Sequence, residues 1–389
     1  MQPVDLSAVS GATELRQVYC LVTERCDLDC ATCYRRDDGA TMSPETARAA
    51  LDLLASGGSD GPLCWAFTGG EPLLMGREWY AELLGHAASR ARRPIRWSLQ
   101  SNLLRLDGAF AELLRRHDVQ LGTSIDGPAA LHARHRGHDG AGTVKRWLEL
   151  ARIGRAPGVT CVVSTESWRR RDELVSFFAG LRAPVIRLQA LRPLGRDGSL
   201  RPPTARMLFD VRWAFAERLL AGEYVFFDPD LYLHLDYYFE GRPACGGDCT
   251  SHRCGAGRTT VTVDTDGTIY PCIAPARVRQ LPLGDVRGGF VADAPARISA
   301  FHGSEAWTVR CFECPARRIC FFGCRAVTIA TGERFEPECG ATRALWEALD
   351  GDRRRAAALY RSLREARAPL DPATYNSIYL PEPRSQSHG

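Results

Sequence analysis

Three cysteines, Cys26, Cys30 and Cys33, follow a short apolar run at x3 and x2 spacing. Structural zinc sites more often use two pairs of ligands, each pair two to four residues apart. A single short array with no fourth cysteine nearby would leave one iron of a four-iron cluster without a protein ligand. An open metal position is what catalysis needs. The plainer alternative is a zinc site completed from elsewhere in the chain. Thr68-Gly69-Gly70-Glu71-Pro72 closes a second apolar run. Two glycines let a backbone approach a ligand closely, and a carboxylate accepts from an amine. Alone, the segment reads as an ordinary turn.

A second group of cysteines is denser. Of the 15 in the chain, Cys245, Cys249, Cys254, Cys272, Cys311, Cys314, Cys320 and Cys324 fall in short-spaced sets, and Cys339 follows. Clustered cysteines in a reducing compartment point to metal ligands rather than a disulfide framework. A pair of structural zinc sites is the alternative, since Cys-x2-Cys is also zinc spacing. Cys20, Cys64 and Cys161 lie in or beside apolar runs and read as small core residues. Cys245 has no assigned role. His132-x2-His135-x2-His138 reads as a solvated loop beside Arg134 and Arg136.

The chain that must position these residues has 389 residues, 45% hydrophobic and 25% charged. That excludes a mainly disordered chain and leads us to expect two or three units. No apolar run is long enough to span a membrane, and no secretion signal opens the sequence, so a cytoplasmic location is expected. The formal charge of +4 carries no nucleic-acid signature. Apolar runs at Val18–Thr23, Leu63–Phe67, Ile95–Leu99, Gln120–Ile125, Thr160–Val163 and Val185–Leu191 predict six strands. Helical segments between them begin with Ser43-Pro44, a capping serine and a first-turn proline. Strands alternating with helices of this length imply parallel βαβ units, with chemistry at the carboxyl ends of the strands. Arg192–Pro203 reads as a linker, Thr204–Gly222 as a helix, and Asp264-Thr265-Asp266-Gly267 as the turn of a hairpin. Gly340–Arg367 reads as one charged helix. The aromatics from Tyr224 to Phe239 read as packing between two domains, or as the lining of a peptide groove.

In these motifs the chain resembles the radical S-adenosylmethionine (SAM) enzymes. The Cys-x3-Cys-x2-Cys loop and Gly69-Gly70-Glu71-Pro72 match that family, and Ser101-Asn102 follows the third strand where it often has a similar pair. Ser124-Ile125-Asp126-Gly127-Pro128, then Leu131-His132 and Arg136, resemble the SAM-holding segment of anaerobic sulfatase-maturating enzymes and peptide maturases. The resemblance implies a cluster on Cys26, Cys30 and Cys33 whose open iron chelates SAM. It places Glu71 and the Gly69-Gly70 backbone at the methionyl amine, and Ser124 and Arg136, with Asp126, at the ribose or carboxylate end. The family usually has an aromatic just before the third cysteine; here Thr32 stands there and Tyr34 follows. The later cysteines resemble a seven-cysteine SPASM domain with two auxiliary four-iron clusters. By that resemblance Cys311, Cys314, Cys320 and Cys339 hold the outer cluster, and Cys254, Cys272, Cys324 and a fourth ligand, Cys249 in preference to Cys245, hold the inner one. Sulfatase maturases carry an aspartate after the Pro-Cys pair, and here Ile273 follows Cys272.

The expected fold is therefore α/β: a partial (β/α)6 radical SAM barrel, a small cysteine-rich SPASM domain and a C-terminal helix. The expected divisions are a tail over 1–14, the barrel over 15–203, bridging helices over 204–243, the auxiliary-cluster domain over 244–345, and a helix and tail over 346–389. The resemblance implies three [4Fe–4S] clusters and SAM, reductive SAM cleavage to a 5′-deoxyadenosyl radical, and oxidation or crosslinking of side chains in a ribosomally made peptide. The expected partners are that peptide, a separate leader-binding protein, and an electron donor such as flavodoxin or ferredoxin, with no nucleic acid and no membrane. A formylglycine-forming sulfatase maturase, a small-molecule oxidase, and a non-catalytic electron-transfer or zinc protein are the other readings.

Overall fold

The structure is a computed structural model, and it describes residues 15–36, 38–55, 61–193, 198–241, 254–303, 309–320, 324, 327, 336–371 and 375. In chain order, β1 (Gln17–Thr23) is followed by α1 (Pro44–Leu54), β2 (Leu63–Gly69), α2 (Arg77–Arg90), β3 (Ile95–Gln100), α3 (Gly108–Arg116) and β4 (Gln120–Ser124). Then come α4 (Ala129–Arg136), α5 (Ala141–Arg152), β5 (Gly158–Val163), α6 (Thr165–Arg169), α7 (Arg171–Leu181) and β6 (Ile186–Ala190). The remainder holds α8 (Ala205–Leu220), α9 (Pro229–Glu240), β7 (Thr260–Val263), β8 (Thr268–Tyr270), α10 (Ile273–Arg277), β9 (Gly284–Asp285) and β10 (Gly289–Phe290). It closes with α11 (Ala294–Gly303), α12 (Val309–Glu313), α13 (Glu336–Gly351) and α14 (Arg353–Arg367). All six expected strands are present. Helix starts follow the expected chemistry: Ser43 accepts from the Thr46 amide at 3.2 Å with Pro44 behind it, and Asp107 accepts from Phe110 at 2.7 Å.

The chain divides into two compact units, one formed by Met1–Asp27, Tyr34–Leu121 and Cys254–Ser304, the other by the remaining segments. In the first unit the strands run in the order β10-β9-β8-β7-β1-β2-β3, followed by the start of β4. β1, β2 and β3 are parallel, with Gln17 opposite Cys64 and Leu63 opposite Ile95. The expected hairpin forms from β7 and β8, and β7 also lies parallel to β1, with Gln17 opposite Thr260 and Cys20 opposite Val263. Phe67 stacks on Trp97 at 5.5 Å and meets Tyr80 of α2 edge-on at 5.2 Å. Full burial of each such ring contributes about 1.5–3 kcal/mol. In the second unit Gly122–Ser124 of β4 pair in parallel with Gly158–Thr160 of β5, and β5 pairs in parallel with β6.

Three expectations need correction. The 132–138 histidines are not on a solvated loop. His132 and His135 are buried on α4, because each ring finds a polar partner there, described below. The Tyr224–Phe239 aromatics pack within the second unit rather than between two domains. Phe226 and Phe227 are core residues, and the α9 rings pack on the C-terminal helices, Phe239 on Tyr360 at 5.3 Å and Tyr238 on Trp346 at 5.2 Å. The C-terminal helix is two helices, separated at Asp352, whose side chain caps the second by accepting from Arg355 at 2.9 Å.

Candidate radical-generating site

In the first unit the carboxyl ends of β1, β2 and β3 meet at closely packed backbone. A Cβ on Gly69 would lie 2.2 Å from the Thr23 carbonyl oxygen, and one on Gly70 2.0 Å from that of Arg25. The two glycines thus let the end of β2 seat against the segment leading into the cysteine loop, with the Gly70 amide donating to Thr23 at 2.6 Å and the Glu71 amide to Arg25 at 2.8 Å. Glu71, 1% exposed, turns inward. It accepts from the Leu73 amide and the Ser101 hydroxyl at 2.9 Å each, and from the Asn102 amide at 2.8 Å. Burial outweighs these hydrogen bonds and pushes its carboxyl up to about 7. Asn102 in turn donates to Asp27 at 2.8 Å, beside Cys26.

A second network joins the same strand ends to the hairpin. Glu24, fully buried, accepts from Arg277 of α10 and from the Arg36 amide at 3.0 Å. Burial pushes its carboxyl up against the pull of Arg277 and then Arg36. Arg36 forks onto Asp264 of the hairpin turn at 2.9 and 2.8 Å and also reaches the Ala276 carbonyl at 3.1 Å. Arg277 donates to the Gly69 carbonyl at 3.2 Å, and its guanidinium lies 5.9 Å from the centre of the Tyr34 ring. Sequence reading missed Glu24, Arg36, Asp264 and Arg277. An acid two residues before Cys26 was the available signal, while nothing in local sequence marks Arg277.

In the second unit Cys30 and Cys33 are half-buried, as is Thr32 between them, and the Cys33 amide donates to the Cys30 carbonyl at 3.1 Å. Burial pushes the Cys30 thiol up, and a hydrogen bond from Arg136 works against that shift. Arg136 is itself held by the buried Asp126, at 2.6 and 3.2 Å. Arg136 and His135 draw the Asp126 carboxyl well below the usual range despite burial. Asp126 also accepts from the Val162 amide at 2.8 Å, while its own amide donates to His132 at 3.2 Å. His135 meets the Ser164 hydroxyl at 2.8 Å. Ser124, half-buried, ends β4. Arg136 thus links Asp126 and Cys30.

The later cysteines divide likewise. Cys254 and Cys272 belong to the first unit, with Cys272 at the start of α10. Cys311, Cys314, Cys320, Cys324 and Cys339 belong to the second, where Cys311 is buried and the others half-buried. Residues next to two of them are anchored: His234 of α9 donates to the Ile319 carbonyl at 2.7 Å, and Arg212 of α8 forks onto Glu338 at 2.9 and 3.1 Å. Cys245 and Cys249 lie outside the described residues. No disulfide joins the described cysteines, and among the described residues no three His, Cys, Asp or Glu side chains gather as ligands of a single ion would.

Residues 20–177 match the model of the radical SAM superfamily. The chain carries a radical SAM domain. Its fold is the partial radical SAM barrel with a cysteine-rich C-terminal part: the structure titled native anSMEcpe with bound AdoMet and Cp18Cys peptide superposes with a TM-score of 0.73 at 19% identity, covering 90% of this chain and 99% of that one. Among sequences, the chain is 28% identical to a PqqA peptide cyclase of Streptomyces rochei, over 85% of this chain and 92% of that one. It is 27% identical to a cysteine-type anaerobic sulfatase-maturating enzyme of Clostridium perfringens, over 55% of this chain, and spans 60% of that protein's length. The family brings a [4Fe–4S] cluster and SAM. The residues fit both: three half-buried thiols close in sequence after β1, and, in the first unit, a turn whose two glycines leave no room for a Cβ.

Proposed function

We propose that this radical SAM protein is an oxidative peptide maturase that modifies side chains of a ribosomally made peptide. The observation that carries this reading is the alignment with the PqqA peptide cyclase, which spans most of both chains. Cys26, Cys30 and Cys33 hold the radical-generating cluster, which with SAM supplies one-electron chemistry ending in hydrogen abstraction from the substrate. Cys311, Cys314, Cys320 and Cys339 hold an outer auxiliary cluster. Cys254, Cys272 and Cys324, with Cys249 as fourth ligand, hold an inner one. Glu71 and Ser101 brace the ends of β2 and β3 beneath the SAM amine, and Ser124 borders the ribose. The protein's own task is to fix one C–H bond in place and exclude water. An electron donor and a leader-binding protein complete the system.

The sulfatase-maturase reading is disfavoured by Ile273, which follows Cys272 and opens α10; a hydrocarbon side chain accepts no proton. No described helix is long and apolar enough to cross a membrane. The test is co-expression with a short peptide encoded beside the gene, followed by mass measurement. A loss of two hydrogens per modification is expected. An unmodified peptide, or formylglycine formed at an appreciable rate on a sulfatase-type peptide, overturns the reading.

A further inference from the structure

Arg277 lies 100 residues beyond the end of the matched radical SAM segment, yet its side chain is built into the strand ends of that domain. It is 7% exposed. One terminal nitrogen donates to Glu24 and the other, Nη2, to the Gly69 carbonyl at 3.2 Å. The Nε–H has no acceptor. A buried donor without a partner is uncommon in folded proteins and asks for an explanation. In a guanidinium the Nε–H and one Nη2–H project from the same edge, so the vacant donor faces the side on which Gly69 lies.

That edge belongs to a site for SAM on the reading above, and the inference rests on that reading. Several polar groups there are already engaged. Both Glu71 oxygens accept from protein donors, and Arg36 is held by both oxygens of Asp264. The Nε–H can only donate, which rules out the SAM amine as its partner. The methionyl carboxylate is the charged acceptor of SAM, and a guanidinium donating to a carboxylate makes one of the stronger hydrogen bonds available. Glu24 and Gly69 fix the orientation of the guanidinium before any ligand arrives, so little side-chain entropy is lost on binding. We infer that Arg277 is a SAM-binding residue contributed by the cysteine-rich part of the chain, its Nε–H donating to the methionyl carboxylate.

The test compares two ligands on the anaerobically reconstituted protein: SAM, and decarboxylated SAM, which lacks only the carboxylate. Dissociation constants are measured by equilibrium dialysis for the parent, Arg277→Ala and Arg277→Lys, with iron content and circular dichroism as checks on folding. Arg277→Ala is expected to weaken SAM about tenfold or more while changing decarboxylated SAM less than about twofold. Arg277→Lys keeps a cation against Glu24 but loses the fork, so it covers the case in which the alanine variant does not fold. Its expected effect is smaller and again confined to SAM. Equal weakening of both ligands, or none, overturns the inference. So does a loss confined to peptide affinity, which would give the Nε–H to a substrate carbonyl. If the parent binds neither ligand, the maturase reading itself falls.

Discussion

Glu71 is the residue whose environment is most readily tested. In the unfolded chain its carboxyl titrates near the ordinary 4.5, and in the fold near 7. Between those values the folded state holds the extra proton. Stability therefore falls as pH rises across that window, by on the order of 3 kcal/mol for this group, and is full below it. Urea unfolding at pH 5 and pH 7 should show the slope, and Glu71→Gln should flatten it. The difference between the two slopes isolates this carboxyl, and identical slopes would refute the assignment. The residue's type and place were legible, because an acid after two glycines at a strand end is conspicuous. Its inward orientation was not. Nothing in the local sequence says that Ser101 and the Asn102 amide, thirty residues away, would supply its donors.

The elements show the same division between local and distant information. The six barrel strands were readable because buried parallel strands are short apolar runs bounded by turns. The hairpin was readable from its Asp-Gly turn. Its attachment to β1 was not, since pairing across more than two hundred residues leaves no local trace. Helix α9 falls within the bridging helices expected over 204–243, though the run of aromatics there gave no bounds for it. Asp264 reads as a turn residue, yet it is fully buried and takes both arms of Arg36. Asp264→Ala leaves that arginine without its main partner, and breaking a buried pair from one side costs about 3–5 kcal/mol. The expected result is a fall in unfolding free energy of that order, with faster amide exchange in residues 34–36 and in the hairpin. Unchanged exchange in both segments would show that the ion pair does not hold the hairpin to β1.

At the scale of the whole molecule, environment sets two cysteines apart as core residues. Cys20 and Cys161 are fully buried. Burial pushes the Cys20 thiol up to about 12 and the Cys161 thiol well above its ordinary value, so both stay protonated and are poor metal ligands. On the proposed reading the other clustered cysteines hold three four-iron sites, one of them short of a protein ligand. That grouping rests on the resemblance to a SPASM domain, because the ligands proposed for the inner cluster are spread from Cys249 to Cys324. The burial of Cys20 and Cys161 follows from the apolar runs that contain them. The protein reconstituted without oxygen is therefore expected to hold about twelve irons per chain. Replacing Cys26, Cys30 and Cys33 together with alanine should leave about eight and abolish SAM cleavage, while Cys20→Ser should leave the iron count unchanged. Cys249→Ala should alter the spectrum of one auxiliary cluster and spare the other two. Zinc in place of iron in anaerobically purified protein, or about four irons only, would return the later cysteines to a structural role and remove the auxiliary clusters from the mechanism.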